Sequence, residues 1–298
     1  MSAASSAVTA APPGAWRRRL FAAAPYILLT PGLLWLLYFF VWPAVQMVLM
    51  AVSSGTLTTG FKPTGTLKPL TDALGKFPTQ WSNSLLYGGI STTLDFLIGF
   101  PVAYAIAFRG GRYKNLLLFL VIAPFFTSFL IRTISWKILL GDEGPILGVL
   151  KSLGILPVDY SVLYSPVAVI SGLTYNFLPF MILPLYVALE KIDKSVLEAA
   201  SDLYANRWHT FRRVTFPLAL PGVFGGTILT FIPTMGDYVN AELLGSPKTR
   251  MIGNVIQGRF LQSTDYPVAA ALSVVLMAGI LIAVLIYARA LGTEDLTG

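Results

Sequence analysis

Acidic and aromatic side chains in or beside long apolar stretches are the residues of this sequence that could bind a cation. Asp95 interrupts an otherwise uncharged run, and a charged group inside a membrane span is costly enough to indicate a function. Asp237 and Glu242 follow another such run, and Tyr175 and Tyr238 could place aromatic faces against a cation. These five residues form a predicted cation path.

Each of these residues also has a structural interpretation, which stays open at this point. Asp95 could belong to a satisfied polar cluster with the hydroxyl residues at 91–93. Asp237 and Glu242 could be solvated loop charges or contacts for a partner. The tyrosines could mark the membrane interface, where aromatic side chains are enriched.

Several other kinds of chemistry are excluded. The sequence has no cysteine and one histidine, which excludes disulfides and a Cys/His metal site. Its only Gly-Lys pair, Gly75 and Lys76, is followed by Phe77, so a phosphate-binding loop is missing. Gly-x-Ser-x-Gly, His-Glu-x-x-His and paired aspartates within a span are also missing. The sequence therefore predicts no catalytic residue, no metal site and no cofactor bound by this chain.

Long uncharged runs identify the fold class. Hydrophobic residues make up 55% of the chain and charged residues 12%, whereas a soluble domain has about 25% charged residues. A bilayer-spanning helix needs about 20 apolar residues. We therefore predict an all-α, polytopic membrane protein with six spans, near 27–52, 83–108, 115–136, 162–189, 217–236 and 267–288.

The basic residues predict the orientation of these spans. Three arginines lie at 17–19, three Lys or Arg residues at 109–114, and five at 190–216. Cytoplasmic loops carry an excess of Lys and Arg, so both termini are expected in the cytoplasm. We expect a cytoplasmic tail at 1–24 and a membrane domain at 25–298. The first apolar stretch exceeds the roughly 7–15 apolar residues of a signal peptide, which predicts an uncleaved helix.

Glycine spacing predicts a tightly packed helix. Gly222 and Gly226 are four residues apart in the fifth predicted span. Such a small-xxx-small pattern lets two membrane helices approach closely. We expect this span to lie inside the bundle.

The segment 190–216 is longer than a minimal turn and carries the signals of two short helices. Ser195 and Glu198 have capping-box spacing for the first helix, and Asn206 can cap the second. The apolar residues expected on one face of the first helix are Leu197, Ala200, Leu203 and Tyr204. Such a face at the membrane surface requires a partner.

The same segment carries a family resemblance. Glu-Ala-Ala at 198–200, followed by Val-Thr-Phe-Pro at 214–217, resembles the EAA loop of type I ABC importer permeases, which reads EAA, three residues, Gly, nine residues, I-x-L-P. Tyr204 stands at the glycine position, where a bulky residue disfavours the usual positive φ. Segments 233–239, 243–245 and 251–256 resemble the spermidine/putrescine branch, as do Arg132 and the run 178–181.

This resemblance implies a type I ABC importer permease fold and a subunit that forms half of a translocation path. It implies ATPase coupling through Glu198, Ala199, Ala200, Asp202, Leu203, Tyr204 and Arg207. The implied partners are an ATPase dimer, which holds ATP and Mg, a second permease, identical or different, and an extracytoplasmic substrate-binding protein. Membrane lipid surrounds the complex, and nucleic acid is not expected although the net charge is +7.

Two alternatives compete with an importer of polyamines. The first is a permease of the same class for another solute, such as ferric iron or another organic amine. The second is a self-sufficient secondary transporter, which predicts inverted repeats and an intramembrane site for a coupling ion. The sequence has one acid within a span and no visible repeat, which favours the ABC class.

Overall fold

The computed structural model of the chain describes residues 26, 28–157, 159–202, 204 and 206–291. The expected tail at 1–24 lies outside these residues. The chain divides into two compact units, Met1–Leu49 and Met50–Gly298. Helix α1, Leu28–Ala51, makes up most of the described part of the first unit. A π-helical turn at Leu37–Val41 precedes Pro43, which lacks the N–H that a regular helix uses.

The second unit contains a hairpin followed by twelve α-helices in its described part. The hairpin pairs β1 (Ser53–Thr56) with β2 (Gly60–Pro63) in antiparallel register. The helices are α2 (Lys68–Gly75), α3 (Pro78–Tyr104), α4 (Lys114–Ile122), α5 (Phe129–Leu139), α6 (Pro145–Ser152), α7 (Pro166–Glu190), α8 (Lys194–Asp202), α9 (Arg207–Thr210), α10 (Phe216–Met235), α11 (Val239–Leu244), α12 (Ile252–Gln257) and α13 (Tyr266–Leu291).

Five continuous helices of the described chain are long and apolar enough to cross a membrane: Leu28–Ala51, Pro78–Arg109, Pro166–Glu190, Arg207–Met235 and Tyr266–Arg289. The span expected at 115–136 is instead a broken pair. Gly111–Phe126 and Phe129–Leu139 meet at 93°, and the first of these segments ends in a 3-10 turn that contains Pro124. The proline N cannot donate a helical hydrogen bond, which favours a break here. If the pair is counted as one span, the total is the expected six.

Helices α3, α7 and α10 pack most closely, because small residues line their contacts. A Cβ added at Gly222 would lie 2.6 Å from Ala188 Cβ and 2.7 Å from the Pro184 carbonyl oxygen. A Cβ added at Gly226 would lie 2.7 Å from Met181 Sδ. The close approach expected from the glycine spacing is therefore confirmed.

Candidate functional site

The segment 190–216 folds into the two expected short helices, α8 and α9, but the first helix is capped differently. Helix α8 begins at Lys194, and Asp193 Oδ1 accepts a hydrogen bond from the Ser195 amide at 2.9 Å. The predicted capping box of Ser195 and Glu198 is therefore wrong, because Asp193, two residues earlier, accepts the capping hydrogen bond. The hydrogen bond from the Ser195 backbone also lowers the pKa of Asp193.

The second helix, α9, has the N-cap residue that the sequence predicts. Asn206 Oδ1 accepts from the His209 amide at 2.8 Å and also lies 3.1 Å from His209 Nδ1. An N-cap of this kind satisfies a backbone donor that the first helical turn leaves free. It therefore fixes where helix α9 begins relative to the turn before it.

The predicted coupling residues occupy different surfaces of this loop. The exposed members are Glu198, Ala199, Asp202, Tyr204 and Arg207. Ala200 is half-buried and lines a cavity of about 480 Å³, together with Tyr204, Asn206, His209, Thr210, Arg213 and Val214. Leu203 lies outside the described residues. Bulk added at Ala199 would therefore project outward, whereas bulk at Ala200 has a cavity beside it.

Tyr204 differs most from expectation. It follows the end of α8, and its side chain is 99% exposed, so the prediction that it shares a packed face with Leu197 is wrong. Leu197 instead packs against the cluster that includes Phe100 and Leu189. The φ of Tyr204 is 59°, so this residue adopts the left-handed conformation despite its bulk. That conformation costs a non-glycine residue about 1–3 kcal/mol.

Aromatic rings connect the loop to the membrane helices. Trp208 stacks on Phe211 with ring centroids 5.7 Å apart, and Phe211 lies edge-on to Phe100 of α3 at 5.6 Å. Phe216, at the start of α10, lies 6.1 Å from Phe211 and 6.0 Å from Phe100. These rings therefore connect α9 to the spans α3 and α10 by direct contact. Sequence reasoning missed this path, since separations of about 100 residues carry no local signal.

An ion pair connects the same loop to the broken span. Lys114 Nζ contacts Glu190 Oε2 and lies 5.5 Å from the ring centroid of Tyr186. Glu190 ends α7 and Lys114 begins α4. The contact therefore joins two connecting segments at one end of the bundle.

A hydrogen-bonded cluster lies at the opposite end of the bundle. Asp237 Oδ1 accepts from the Asn240 amide at 2.8 Å, and Asp237 Oδ2 accepts from Asn240 Nδ2 at 3.2 Å. Asn240 Oδ1 accepts from Asn176 Nδ2 at 3.1 Å and from Thr133 Oγ1 at 3.4 Å. Asp237 follows the fifth span and is 8% exposed. Burial raises its pKa to about 6, although hydrogen bonds from Asn240 and Ala241 oppose that shift.

Three other residues of the predicted cation path lie near this cluster along the chain. Tyr238 follows Asp237 and is 44% exposed, and Tyr175 precedes Asn176 and is 37% exposed. Glu242 Oε2 accepts from Asn254 Nδ2 at 3.1 Å, and the same amide group donates to the Tyr238 carbonyl oxygen. Asparagines 176, 240 and 254 thus organise this end, and sequence reasoning gave none of them a role.

Aromatic rings surround a buried arginine on the broken span. Trp136 and Tyr175 form an edge-on pair with centroids 5.4 Å apart. The Arg132 guanidinium lies 5.2 Å from the ring centroid of Phe125 and 5.7 Å from that of Phe129. Arg132 Nε and Nη1 have no hydrogen-bond partner among the described residues.

Asp95 is not part of the hydrogen-bonded cluster that contains Asp237. It is fully buried within α3, and neither carboxylate oxygen has a hydrogen-bond partner in the described part of the chain. Ser91, one turn earlier, pairs instead with Thr174 of α7 at 3.1 Å. The satisfied cluster considered for Asp95 is therefore wrong in its hydrogen bonding, and a role for Asp95 in the path stays a prediction.

The described residues contain no group of three or more His, Cys, Asp or Glu side chains that could hold a metal ion. Residues 96–291 match the family model for the binding-protein-dependent transport system inner membrane component, which covers the bent span, both helices of the loop and the opposite polar cluster. The chain belongs to this family. The expected class, a membrane permease subunit of ABC importers, is thereby confirmed.

Relatives of this permease carry names that indicate transport. It is 44% identical over 208 residues to the spermidine/putrescine transport system permease protein PotB of Haemophilus influenzae, covering 70% of this chain and 73% of the relative. It is 40% identical over 208 residues to the PotB protein of Escherichia coli, covering 70% and 76%. An inner membrane ABC transporter permease protein of Escherichia coli, YdcU, is 35% identical over 217 residues, 68% of each chain.

Solved structures support the fold of the permease. A chain of a bacterial ABC transporter that imports the acidic polysaccharide alginate superposes with a TM-score of 0.75 at 19% identity, covering 96% of this chain and 100% of that one. A chain of the MetNI methionine ABC transporter gives a TM-score of 0.55 at 20% identity, covering 76% and 99%. The permease is thus a multi-pass inner membrane protein with an ABC-importer fold.

Proposed function

We propose that this permease forms half of the translocation path of an ATP-driven importer of polyamines such as spermidine and putrescine. The observation that carries the proposal is its 40–44% identity to two PotB permeases over 208 residues. The other half of the path is a second permease, and a separate ATPase dimer binds ATP and Mg. An extracytoplasmic binding protein delivers the solute. Both termini are cytoplasmic, which places the loop 190–216 inside and the Asp237 cluster outside.

The test of this function is uptake by a reconstituted complex. The permease, its partner permease and the ATPase subunits are placed in proteoliposomes with ATP inside and the binding protein outside. We expect uptake of radiolabelled spermidine that requires both ATP and the binding protein. Uptake driven by an ion gradient without ATP would indicate a secondary transporter. Uptake of ferric iron or another organic amine in place of spermidine would contradict the proposal that polyamines are the substrate.

Docking of the ATPase is assigned to the loop 190–216. Glu198 and Ala199 are exposed on α8, and the rings of Trp208, Phe211 and Phe100 lead from the loop to the spans. In this proposal, closure of the ATPase dimer moves α8 and α9, and the aromatic contacts transmit that movement to α3 and α10. The two helices are therefore a mechanical connection as well as a docking surface.

The solute path is assigned to the cluster at the opposite end. Asp237, Tyr238 and Glu242 supply two carboxylates and an aromatic ring, and Tyr175 adds a second ring. A polyamine presents several ammonium groups, which carboxylates and aromatic faces attract most strongly where water is partly excluded. Asp95 is retained as a deeper candidate, although it is fully buried within α3 in this conformation.

We expect Asp237→Asn to lower spermidine uptake several-fold while the complex still assembles. An asparagine keeps an oxygen that can accept from the Asn240 amide, so the start of α11 is preserved and the charge is lost. Because the pKa of Asp237 is about 6, the carboxylate is ionised at pH 7.5 and largely protonated at pH 5. The difference in uptake between wild type and Asp237→Asn should therefore shrink as the pH falls through 6.

Asp265→Asn is the matched control for this experiment. Asp265 lies near the start of α13, is partly exposed, and pairs with Arg259 at 3.6 Å. Its loss should leave uptake within about twofold of wild type, since exposed ion pairs contribute only about 0–1 kcal/mol. Equal uptake by wild type and Asp237→Asn at every pH would remove Asp237 from the path.

A further inference from the structure

Arg132 is a buried cation without a counter-ion in the described part of the permease. Its side chain is 7% exposed, Nε and Nη1 have no hydrogen-bond partner there, and none of the ion pairs includes it. The guanidinium lies over the rings of Phe125 and Phe129. Such cation–π contacts offset only part of the cost of removing a charge from water. Arg132 therefore lacks the partner that a buried arginine normally has.

Asp237 is a buried anion that also lacks a counter-ion. It is 8% exposed, and its carboxylate accepts hydrogen bonds from Asn240 and Ala241, which carry no charge. No Lys, Arg or His side chain of the described residues forms an ion pair with it. Two opposite charges, each more than nine-tenths buried, thus remain unpaired in one membrane domain.

A single asparagine side chain separates the helix that carries Arg132 from the Asp237 carboxylate. Thr133, the next residue on α5, donates to Asn240 Oδ1 at 3.4 Å. Nδ2 of the same asparagine donates to Asp237 Oδ2 at 3.2 Å. An arginine side chain has a long methylene stem and many rotamers. Rotation about its torsions is therefore a route by which the guanidinium reaches the carboxylate.

An unpaired acceptor lies in the same cluster. Asn176 is 1% exposed, and its Nδ2 donates to Thr133 Oγ1 at 3.2 Å and to Asn240 Oδ1 at 3.1 Å. Its Oδ1, however, has no partner among the described residues. Buried donors and acceptors are costly when they are left unpaired. A second arrangement that brings the Arg132 guanidinium to Asn176 Oδ1 and to Asp237 would satisfy all three groups.

We propose that Arg132 is a built-in competitor for the polyamine. Its guanidinium pairs with Asp237 when the path is empty, and it returns to the rings of Phe125 and Phe129 when an ammonium group of the solute binds the carboxylate. This role rests on the proposed solute path and adds to it the residue that limits affinity. A transport site must bind its solute and also release it, and a tethered cation lowers the affinity because each ammonium group must displace it.

The test measures the Kd of the assembled complex for radiolabelled spermidine, in nanodiscs without ATP or binding protein. We expect Arg132→Gln to lower this Kd about tenfold, equivalent to about 1.4 kcal/mol, because the competitor is gone. The maximal rate of uptake into proteoliposomes should fall, since tighter binding slows release. The thermal unfolding midpoint should be unchanged or higher, because an unpaired buried charge is removed. Arg132→Lys keeps the positive charge and should bind within about threefold of wild type.

The Asp237→Asn background distinguishes competition for the carboxylate from repulsion at a distance. Without the carboxylate the guanidinium has no anion to occupy, so adding Arg132→Gln to Asp237→Asn should change the Kd by less than about twofold. Lys137→Gln is the matched control for charge, because it removes a basic residue from the same helix. It should bind spermidine as wild type does.

A Kd for Arg132→Gln equal to or above that of wild type would overturn the competitor. Equal tightening by Arg132→Gln with and without Asp237→Asn would also overturn it and would assign the effect to general repulsion. If Asp237→Asn weakens binding and Arg132→Gln does not tighten it, the competitor fails alone. If wild type and Asp237→Asn bind spermidine equally, the assignment of Asp237 to the solute path fails with it.

Discussion

Replacing Ala199 by Trp should abolish ATP-driven uptake and release the ATPase from the membrane, while the permease still inserts and keeps its fold. Ala199 is exposed on α8, so an indole there projects outward and holds the surface of the permease apart from that of the ATPase. Ala200 is the weaker choice for this purpose, since it lines a cavity of about 480 Å³. The expected loss corresponds to about 2 kcal/mol or more of binding energy, the size of an interface hot spot. The measurement is co-purification of the ATPase with the variant permease.

Glu198→Arg tests the same surface by charge instead of bulk and should also release the ATPase. If Glu198 only stabilised its own helix, replacing it would destabilise that helix by no more than the loss of an N-cap, about 0.5–2 kcal/mol. The ATPase would then stay bound. Ala278→Trp is the control for bulk, since Ala278 is exposed on membrane helix α13. That variant should transport normally. Full ATPase retention with normal uptake in both Ala199→Trp and Glu198→Arg would exclude this loop as the docking site.

Gly222→Ala should destabilise the membrane domain by about 1–3 kcal/mol, the usual cost of overpacking. The added Cβ would lie 2.7 Å from the Pro184 carbonyl oxygen and 3.1 Å from Leu185 Cα. These are backbone atoms of α7, so α10 must move away from α7 instead of a side chain moving aside. We expect a lower thermal unfolding midpoint in detergent and less assembled complex.

Gly225→Ala makes the same substitution on the same helix where space exists. Its Cβ would meet only Pro184 Cβ, at 3.7 Å, which is an ordinary van der Waals distance. This variant should match or slightly exceed the stability of wild type, because alanine has a higher helix propensity than glycine. Equal unfolding midpoints for the two variants would contradict the tight packing of α7 against α10.

The sequence predicted the features that depend on local spacing or on the bilayer. Apolar runs predicted the spans because each must cover the thickness of the membrane. The pair Gly222 and Gly226 predicted a close contact between helices, which the structure forms with α7, and Asn206 predicted the start of α9. In each case the residues that carry the signal also make the structural contact.

Features that depend on distant contacts could not be predicted in this way. The apolar run at 115–136 predicted one span, and the 93° bend within it had no counterpart in the apolar pattern. The rings of Phe100 and Phe211 meet across more than a hundred residues of sequence. Asp193 and Ser195 both satisfy the local rule for a cap, and the structure uses Asp193.

The most direct test of this account places single cysteines in the permease, whose natural sequence has none. Ala199→Cys should form a cross-link to the ATPase subunit with a short bismaleimide and should resist an impermeant thiol reagent added outside intact cells. Ser263→Cys, at an exposed position before α13, should show the reverse: labelling from outside and no cross-link to the ATPase. Outside labelling of Ala199→Cys, or a cross-link to the ATPase from Ser263→Cys alone, would contradict the assignment of loop 190–216 as the cytoplasmic coupling element.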